Sequence, residues 1–337
     1  MTPVILLTGF LGSGKTTLLQ RLLTDPALSR AAVLINEFGE IGLDHHLLDR
    51  IDDNVVLMKS GCICCTVRGE VADALLNLQS MRARGEIDFD RVVIETTGLA
   101  DPYPVLQTLR AHPVLRSHFD NGGVLTTVDA VNAGAQIAHR AEAVRQIAAA
   151  DRIILTKTDL GDAAATAALK ATLLRLNPAA SVVTSADATE AIIDGLGAAQ
   201  SGWTDLAAMA EEGGHHHHGH GHDLNADLGV VTFSLTVQEA VDWTAFGVWL
   251  TLLLHRYGDR IYRVKGIIAL EGEDRPVAIH GVQHLVHAPV HMTHWPDGPR
   301  HSRLVFILEG LEPDQIRRSF RAFMGLSPVD APAKVPA

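Results

Sequence analysis

The sequence predicts an α/β protein in two parts, a domain with a mostly parallel sheet wrapped by helices and then a smaller C-terminal α+β domain. Three observations predict it. From Val4 to Val183, short apolar runs alternate with longer segments whose apolar residues recur at helical spacing, a pattern that demands parallel strands joined by helical crossovers. Near residue 200 the composition shifts to Gly, Ala, acidic residues and His, too polar to bury a core. Beyond that stretch, strand-like runs follow one another with helices only at either end. With 337 residues, 47% of them hydrophobic, the chain is long enough for two such cores.

The first domain's strands are expected at Val4–Thr8, Ala32–Asn36, Val55–Met58, Val92–Glu95, Val124–Val128, Ile153–Thr156 and Ser181–Thr184, each a short run with the apolar character of a strand buried on both faces. Between them, helical spacing marks Lys15–Leu23, Val71–Arg84, Val105–Ala111, Ala135–Ala149 and Ala163–Leu176. The second domain is expected to begin with a strand at Val230–Val237 and a buried helix at Glu239–Leu254. Strands at Ile261–Leu270, Pro276–His280, His284–Val290 and Arg303–Leu308 follow, and a helix at Pro313–Phe323 closes it. The expected boundaries are 1–200 for the first domain, 201–228 for a flexible His-rich linker, 229–326 for the second domain and 327–337 for a loose tail with three prolines.

Charge and cysteine usage narrow the function classes. A formal charge of −11 argues against a sequence-independent grip on nucleic acid or on anionic lipid, since either needs clustered Lys and Arg. The longest strongly apolar stretch, Trp243–Leu254, is far short of the roughly 20 residues that cross a bilayer. All three cysteines fall within Cys62–Cys65, which is no disulfide framework and suggests a reducing, cytoplasmic setting. The apolar run Pro3–Leu11 lacks a basic leader and runs straight into a glycine-rich motif that cleavage would destroy, so it is not expected to be a secretion signal.

That motif, Gly9-Phe-Leu-Gly12-Ser13-Gly14-Lys15-Thr16, fits the phosphate-loop (P-loop) pattern and lies between an expected strand and an expected helix. Its glycines let backbone N–H groups close around phosphate oxygens, and the start of the following helix favours negative charge. Lys15 is expected to reach the terminal phosphates and the Thr16 hydroxyl to ligate Mg²⁺, with Thr17 also at the nucleotide. Glu95 ends an apolar strand where such domains carry a second acidic element, and it suits either holding Mg²⁺ or orienting the attacking water. Thr156-Lys157-Thr158-Asp159 stands where GTPases carry Asn-Lys-x-Asp. Lys157 would pack its stem on the guanine ring, Asp159 would accept its hydrogen bonds, and the backbone at Ala186 would donate to its carbonyl. GTP is therefore expected over ATP.

Gly61-Cys62-Ile63-Cys64-Cys65 places three thiols within reach of one soft cation, for which thiolates select Zn²⁺ or Cu⁺ over Mg²⁺. A redox pair or small buried hydrophobes are the blander alternatives. A tetrahedral site needs one more ligand, and Glu37, Glu40, His45, His46, a water or a second protein are all admissible. In the linker, His215, His216, His217, His218, His220 and His222 can capture divalent ions with little geometric selectivity. His280, His284, His287, His291, His294 and His301 are spread through the second domain and read mainly as single surface or core residues. If 285–290 were one strand, His284 and His287 would point to opposite faces.

Together, Gly9–Thr17, Asn36–Glu40 with Asp44, the Cys62–Cys65 motif, Glu95–Pro102 and Thr156–Asp159 resemble the CobW-like family of metallochaperone GTPases. Tyr262–Gly266 and Ser302–Phe306 resemble that family's C-terminal domain, so the likeness covers nearly the whole chain outside the linker. The resemblance implies slow GTP hydrolysis, Zn²⁺ or Co²⁺ on Cys62, Cys64 and Cys65 beside the nucleotide, and delivery to a client metalloprotein. On this reading GTP orders the region around Glu37 into a tight metal site and hydrolysis releases the ion to a client docked on the C-terminal domain. A passive metal buffer or sensor is the alternative, and a thiol redox switch a third.

Overall fold

The computed structural model describes residues 1–35, 55–57, 67–189, 229–296 and 300–326. The chain divides into two compact units, 1–202 and 203–337. In the first, seven parallel strands, β1 (Thr2–Gly9), β2 (Ala31–Ile35), β3 (Val55–Leu57), β4 (Arg91–Glu95), β5 (Phe119–Asp129), β6 (Arg152–Thr156) and β7 (Ser181–Thr184), form one sheet in the order β3-β2-β4-β1-β5-β6-β7. Helices α1 (Lys15–Leu23), α2 (Val67–Ala83), α3 (Tyr103–Ala111), α4 (Leu115–His118), α5 (Ala133–His139), α6 (Ala141–Ala149) and α7 (Ala163–Leu176) lie between the strands in sequence. Strands β1 and β2 are buried almost throughout, as two covered faces require. Leu18, Leu19 and Leu22 form one face of α1 and pack on Ile5, Leu7, Val33, Val93 and Ile154. At about 1.5–3 kcal/mol for each fully buried Leu, that contact is what fixes α1, and hence the loop before it, on the sheet.

Strand order sets where function can sit. β1 is central, flanked by β4 with Leu7 beside Glu95 and by β5 with Gly9 beside Thr127. β6 follows β5 with Thr156 beside Asp129, and β7 follows β6 with Thr184 beside Leu155. The carboxyl ends of β4, β1, β5, β6 and β7 therefore lie along one edge, where open parallel sheets bind ligands.

The second unit is a six-stranded antiparallel sheet. β8 (Val230–Val237), β9 (Ile261–Ile268), β10 (Val277–Val282), β11 (Leu285–Val286) and β13 (Ser302–Glu309) run in the order β11-β10-β9-β13-β8, with β12 (Val290–His291) also on β10. One face carries the core. Phe233, Leu235, Val264, Ile268, Leu304 and Phe306 meet Phe246, Trp249, Leu250 and Leu253 of α8 (Trp243–Tyr257) and Ile316 and Phe320 of α9 (Pro313–Phe323). Trp249 stands edge-on to Phe320 at 4.9 Å between ring centroids, and its indole N–H donates to Ser319 Oγ at 3.1 Å.

Several expected elements differ. The helix expected over Ala135–Ala149 is two, α5 and α6, because Arg140 is extended at φ −133° and ψ 104°. The apolar positions Ile137, Val144 and Ile147 keep helical spacing across the break, and no Gly or Pro marks it. The strand expected over His284–Val290 is interrupted, since Pro289 between β11 and β12 has no N–H for a ladder. The helix expected from Glu239 starts at Trp243, where the Asp242 carboxylate accepts from the Ala245 amide, while Val241 is taken by a bridge to Leu270. β5 is longer than expected, and α4 carried no sequence signal.

Candidate nucleotide-binding site

The loop between β1 and α1 is held from three sides. Gly9 ends β1 at φ +145°, and a Cβ there would sit 2.5 Å from the Thr127 carbonyl oxygen, so only glycine admits this approach. Ser13 Oγ lies 2.7 Å from Thr127 Oγ1, and Thr156 Oγ1 donates to the Ser13 carbonyl at 2.7 Å. Gly12 and Gly14 take left-handed conformations at φ 73° and 84°. Gly14 is the N-cap of α1 and supplies no side-chain cap, which leaves the first N–H groups of the helix for an anion. Lys15 spans the loop, its Nζ donating to the carbonyls of Gly9 at 2.8 Å and Phe10 at 3.1 Å.

Thr16 Oγ1 donates to Glu95 Oε1 at 2.6 Å, and Glu95 is 4% exposed. Thr17 follows, and these residues with Gly12, Gly14, Lys15, Gly98 and Lys157 line a cavity of about 420 Å³, within the range of small-ligand sites. The hydroxyl and carboxylate set side by side are hard oxygen donors of the kind Mg²⁺ takes.

At the other end of the cavity, Lys157 Nζ donates to the Gly12 carbonyl at 2.8 Å and to Asp129 Oδ2 at 2.7 Å. Burial opposes ionisation of Asp129. Hydrogen bonds from the Asn132 side chain, the Lys157 ammonium and the amides of Val131 and Asn132 outweigh it and hold the carboxyl below its ordinary value. Asp159 is exposed beyond the end of β6, and Ala186 is exposed in the one-turn 3₁₀ helix Ser185–Asp187 beyond β7. Because β6 and β7 are neighbours, both residues lie on the same edge as Lys157.

Sequence reasoning missed four contributors: Thr127, Asp129, Gln146 and Gly98. Gln146 of α6 is fully buried and donates from Nε2 to the carbonyls of Gly98 at 3.2 Å and Ala100 at 3.0 Å, holding the segment after Glu95. Only Asp129 had a local signal, an Asp-x-x-Asn turn after a strand. Thr156 departs from the Asn expected of a GTPase, yet its hydroxyl ties β6 to the phosphate loop. Cys62, Cys64, Cys65, Glu37 and the histidines His215, His216, His217, His218, His220 and His222 lie outside the described residues. Among the described residues, no group of three or more His, Cys, Asp or Glu is placed to hold a metal ion, and no helix is long and apolar enough to cross a membrane.

Residues 3–184 match the CobW/HypB/UreG nucleotide-binding domain, and residues 230–324 match the cobalamin synthesis protein cobW C-terminal domain. This chain belongs to the CobW family. The phosphate-loop architecture and the antiparallel second unit are those of that family. A zinc chaperone, YjiA of Escherichia coli (strain K12), is 37% identical to the CobW-family chain over 321 residues, 94% of this chain and 97% of that protein. The zinc chaperone CobW of Pseudomonas aeruginosa is 31% identical over 357 residues, 95% of this chain and 90% of that protein. The crystal structure of Zn(II)-bound YjiA GTPase from E. coli has a TM-score of 0.68 at 31% identity, covering 96% of this chain and 99% of that one.

Proposed function

We propose that this CobW-family chain is a cytoplasmic GTPase that carries Zn²⁺ on Cys62, Cys64 and Cys65 and delivers it to a client metalloprotein, with nucleotide state gating release. The observation that carries the reading is the union, in one chain similar over nearly its whole length to zinc chaperones, of an assembled phosphate loop and a three-thiol motif. Lys15, the first amides of α1 and the loop glycines cradle the phosphates, Lys157 and Asp159 read guanine, and the backbone at Ala186 donates to the base carbonyl. Thr16 and Glu95 would hold Mg²⁺, which supplies charge neutralisation at the phosphates. Zn²⁺, rather than Co²⁺, suits three thiolates, and Glu37 supplies the oxygen ligand that senses the nucleotide. The linker histidines, 201–228 with His215–His222, act as a loose collector that feeds the cysteine site. The client docks on the C-terminal domain, and neither nucleic acid nor membrane is a partner.

Linkage supplies the test, because a nucleotide that tightens metal binding must itself be tightened by metal to the same degree. A chelator-competition titration of Zn²⁺ and Co²⁺ is run with and without Mg²⁺ and a non-hydrolysable GTP analogue. Tighter Zn²⁺ binding with the analogue is expected, and equal affinity in both states refutes gating. Deletion of 215–222 should leave one tight site. Loss of nearly all Zn²⁺ capacity on that deletion would instead mark a storage protein.

A further inference from the structure

The nucleotide site contains a buried carboxylate that none of the roles above uses. Asp129 ends β5 with 1% of its surface exposed. Its Oδ1 accepts from the amides of Val131 at 2.9 Å and Asn132 at 3.2 Å, which closes a local turn. Its Oδ2 accepts from Asn132 Nδ2 at 2.8 Å and faces out of that turn to Lys157 Nζ at 2.7 Å. The turn is complete without Lys157, so the ion pair serves something other than the turn.

Lys157 shows what it serves. Its backbone is left-handed at φ 56°, and among the described residues only Gln283 also adopts positive φ without being glycine. A conformation of that kind persists only where surrounding contacts over-determine it, and it recurs at ligand clamps. Here the backbone carbonyl accepts from the Leu160 amide at 3.1 Å, and the ammonium has two acceptors, Asp129 Oδ2 and the Gly12 carbonyl. With its head fixed to β5 on one side and to the phosphate loop on the other, Lys157 is held against the cavity that it lines.

We propose that Asp129 is a positioning residue for base recognition. It holds the Lys157 ammonium on the Gly12 carbonyl, so that the Lys157 stem is a preformed platform for the guanine ring. The inference rests on the reading of Lys157 and Asp159 as the guanine-recognising pair. It adds that base and phosphate recognition are coupled through one charged contact, because the group that fixes the platform also restrains Gly12. Preorganisation of this type lowers what binding must spend on ordering a flexible side chain. Its loss falls on affinity, whereas Lys15, Thr16 and Glu95 keep their contacts.

The test uses the full-length chain with D129N, K157M, the double variant and D159N, measuring KM and kcat for GTP and ATP. Asn retains an oxygen for the Val131 and Asn132 amides and loses the Oδ2 acceptor shared by Lys157 and the Asn132 side chain. D129N is expected to raise KM for GTP about tenfold, the loss of one charge-assisted contact, and to lower the preference for GTP over ATP. Its kcat at saturation should stay within about twofold of wild type, since no interaction special to the transition state is removed. Because Asp129 acts through Lys157, the double variant should be no worse than K157M alone. An unchanged KM in D129N, or effects of D129N and K157M that multiply, overturns the proposal. If D129N does not fold, K157M reads the same contact from its other end, and an unchanged KM there overturns it equally. D159N separates the two levels of inference: if it too leaves base preference unchanged, the guanine reading of this loop fails, whereas a lost preference in D159N beside an unaffected D129N removes Asp129 alone.

Discussion

Gly98→Ala tests the packing of the segment after Glu95 on the phosphate loop. A Cβ on Gly98 would lie 2.8 Å from both the Cα and the backbone N of Leu11 and 2.6 Å from Leu11 Cδ2. The Leu11 methyl can rotate away, but the backbone atoms belong to the loop itself. Ordinary carbon–carbon contact is about 3.5 Å or more, so the segment and the loop must part by about 0.7 Å. Gln146 resists that movement by holding the Gly98 and Ala100 carbonyls. Overpacking of this size costs about 1–3 kcal/mol, which for a unit of this length lowers its Tm by roughly 2–12 °C. The larger effect falls on turnover. Displacements of about 1 Å near reacting groups lower rates by about 10²-fold, so a loss of roughly 10- to 100-fold in kcat/KM for GTP is expected. Gly85→Ala is the control, since Gly85 has nothing within 4 Å of its would-be Cβ and, unlike Gly98, strains only its own backbone, at φ 73°. It should lose about 1–2 kcal/mol of stability and no activity. Turnover and Tm are read on the same preparations by phosphate release and thermal unfolding. Wild-type kcat/KM in Gly98→Ala would refute the close approach, and an equal activity loss in Gly85→Ala would refute its local origin.

Thr16→Val keeps the side-chain shape but removes the donor to Glu95 and an oxygen at the cavity wall. Mg²⁺-dependent GTP hydrolysis should fall by about 10²-fold or more with little change in Tm, as phosphate release will show. Asn177→Leu should destabilise the first unit by about 2–4 kcal/mol in thermal unfolding. Its fully buried Nδ2 donates to the carbonyls of Ile147, Ala148 and Ala150 at 2.8, 3.1 and 2.9 Å, and all three would lose this donor, Ile147 keeping the Ala150 amide at 3.2 Å. Burial, and then the nearby Arg303 charge, hold the His301 imidazole below its ordinary value of 6.5. The unfolded chain therefore takes up that proton first. The second unit has its full stability above about pH 6.5 and loses it as pH falls from there through the lowered value. His301→Gln should flatten this slope in melts between pH 8 and 5.5, and an unchanged slope would clear His301 of the effect.

The legible parts of the fold were those whose signal is local. Six of the seven parallel strands were placed to within two residues at each end, because strands buried on both faces are continuous apolar runs, and β5 was placed at its carboxyl end. The break at Arg140 was not, since no residue type there forbids a helix, and the turn is set by what α6 buries. Helix α8 was misplaced at its start because Val241, apolar and in helical register, is drawn into a bridge with Leu270, a partner nearly thirty residues on in sequence. That preference is tertiary and outweighs the spacing.

The candidate site divides in the same way. By itself the sequence singled out the phosphate loop, Thr16, Glu95 and the Lys157–Asp159 pair as candidates, because a phosphate loop uses consecutive backbone amides and therefore leaves a contiguous imprint of glycines, lysine and hydroxyl. Tertiary structure alone decided what holds that loop in shape. Thr127, Asp129, Gln146 and Thr156 are ordinary residue types far from the loop in sequence; Thr127 and Thr156 meet Ser13, Gln146 meets Gly98, and Asp129 meets the Lys157 that reaches Gly12, only because the sheet sets β4 and β5 on either side of β1 and β6 beyond β5. A hydrogen bond depends on separation in space over about 3 Å and is indifferent to separation along the chain.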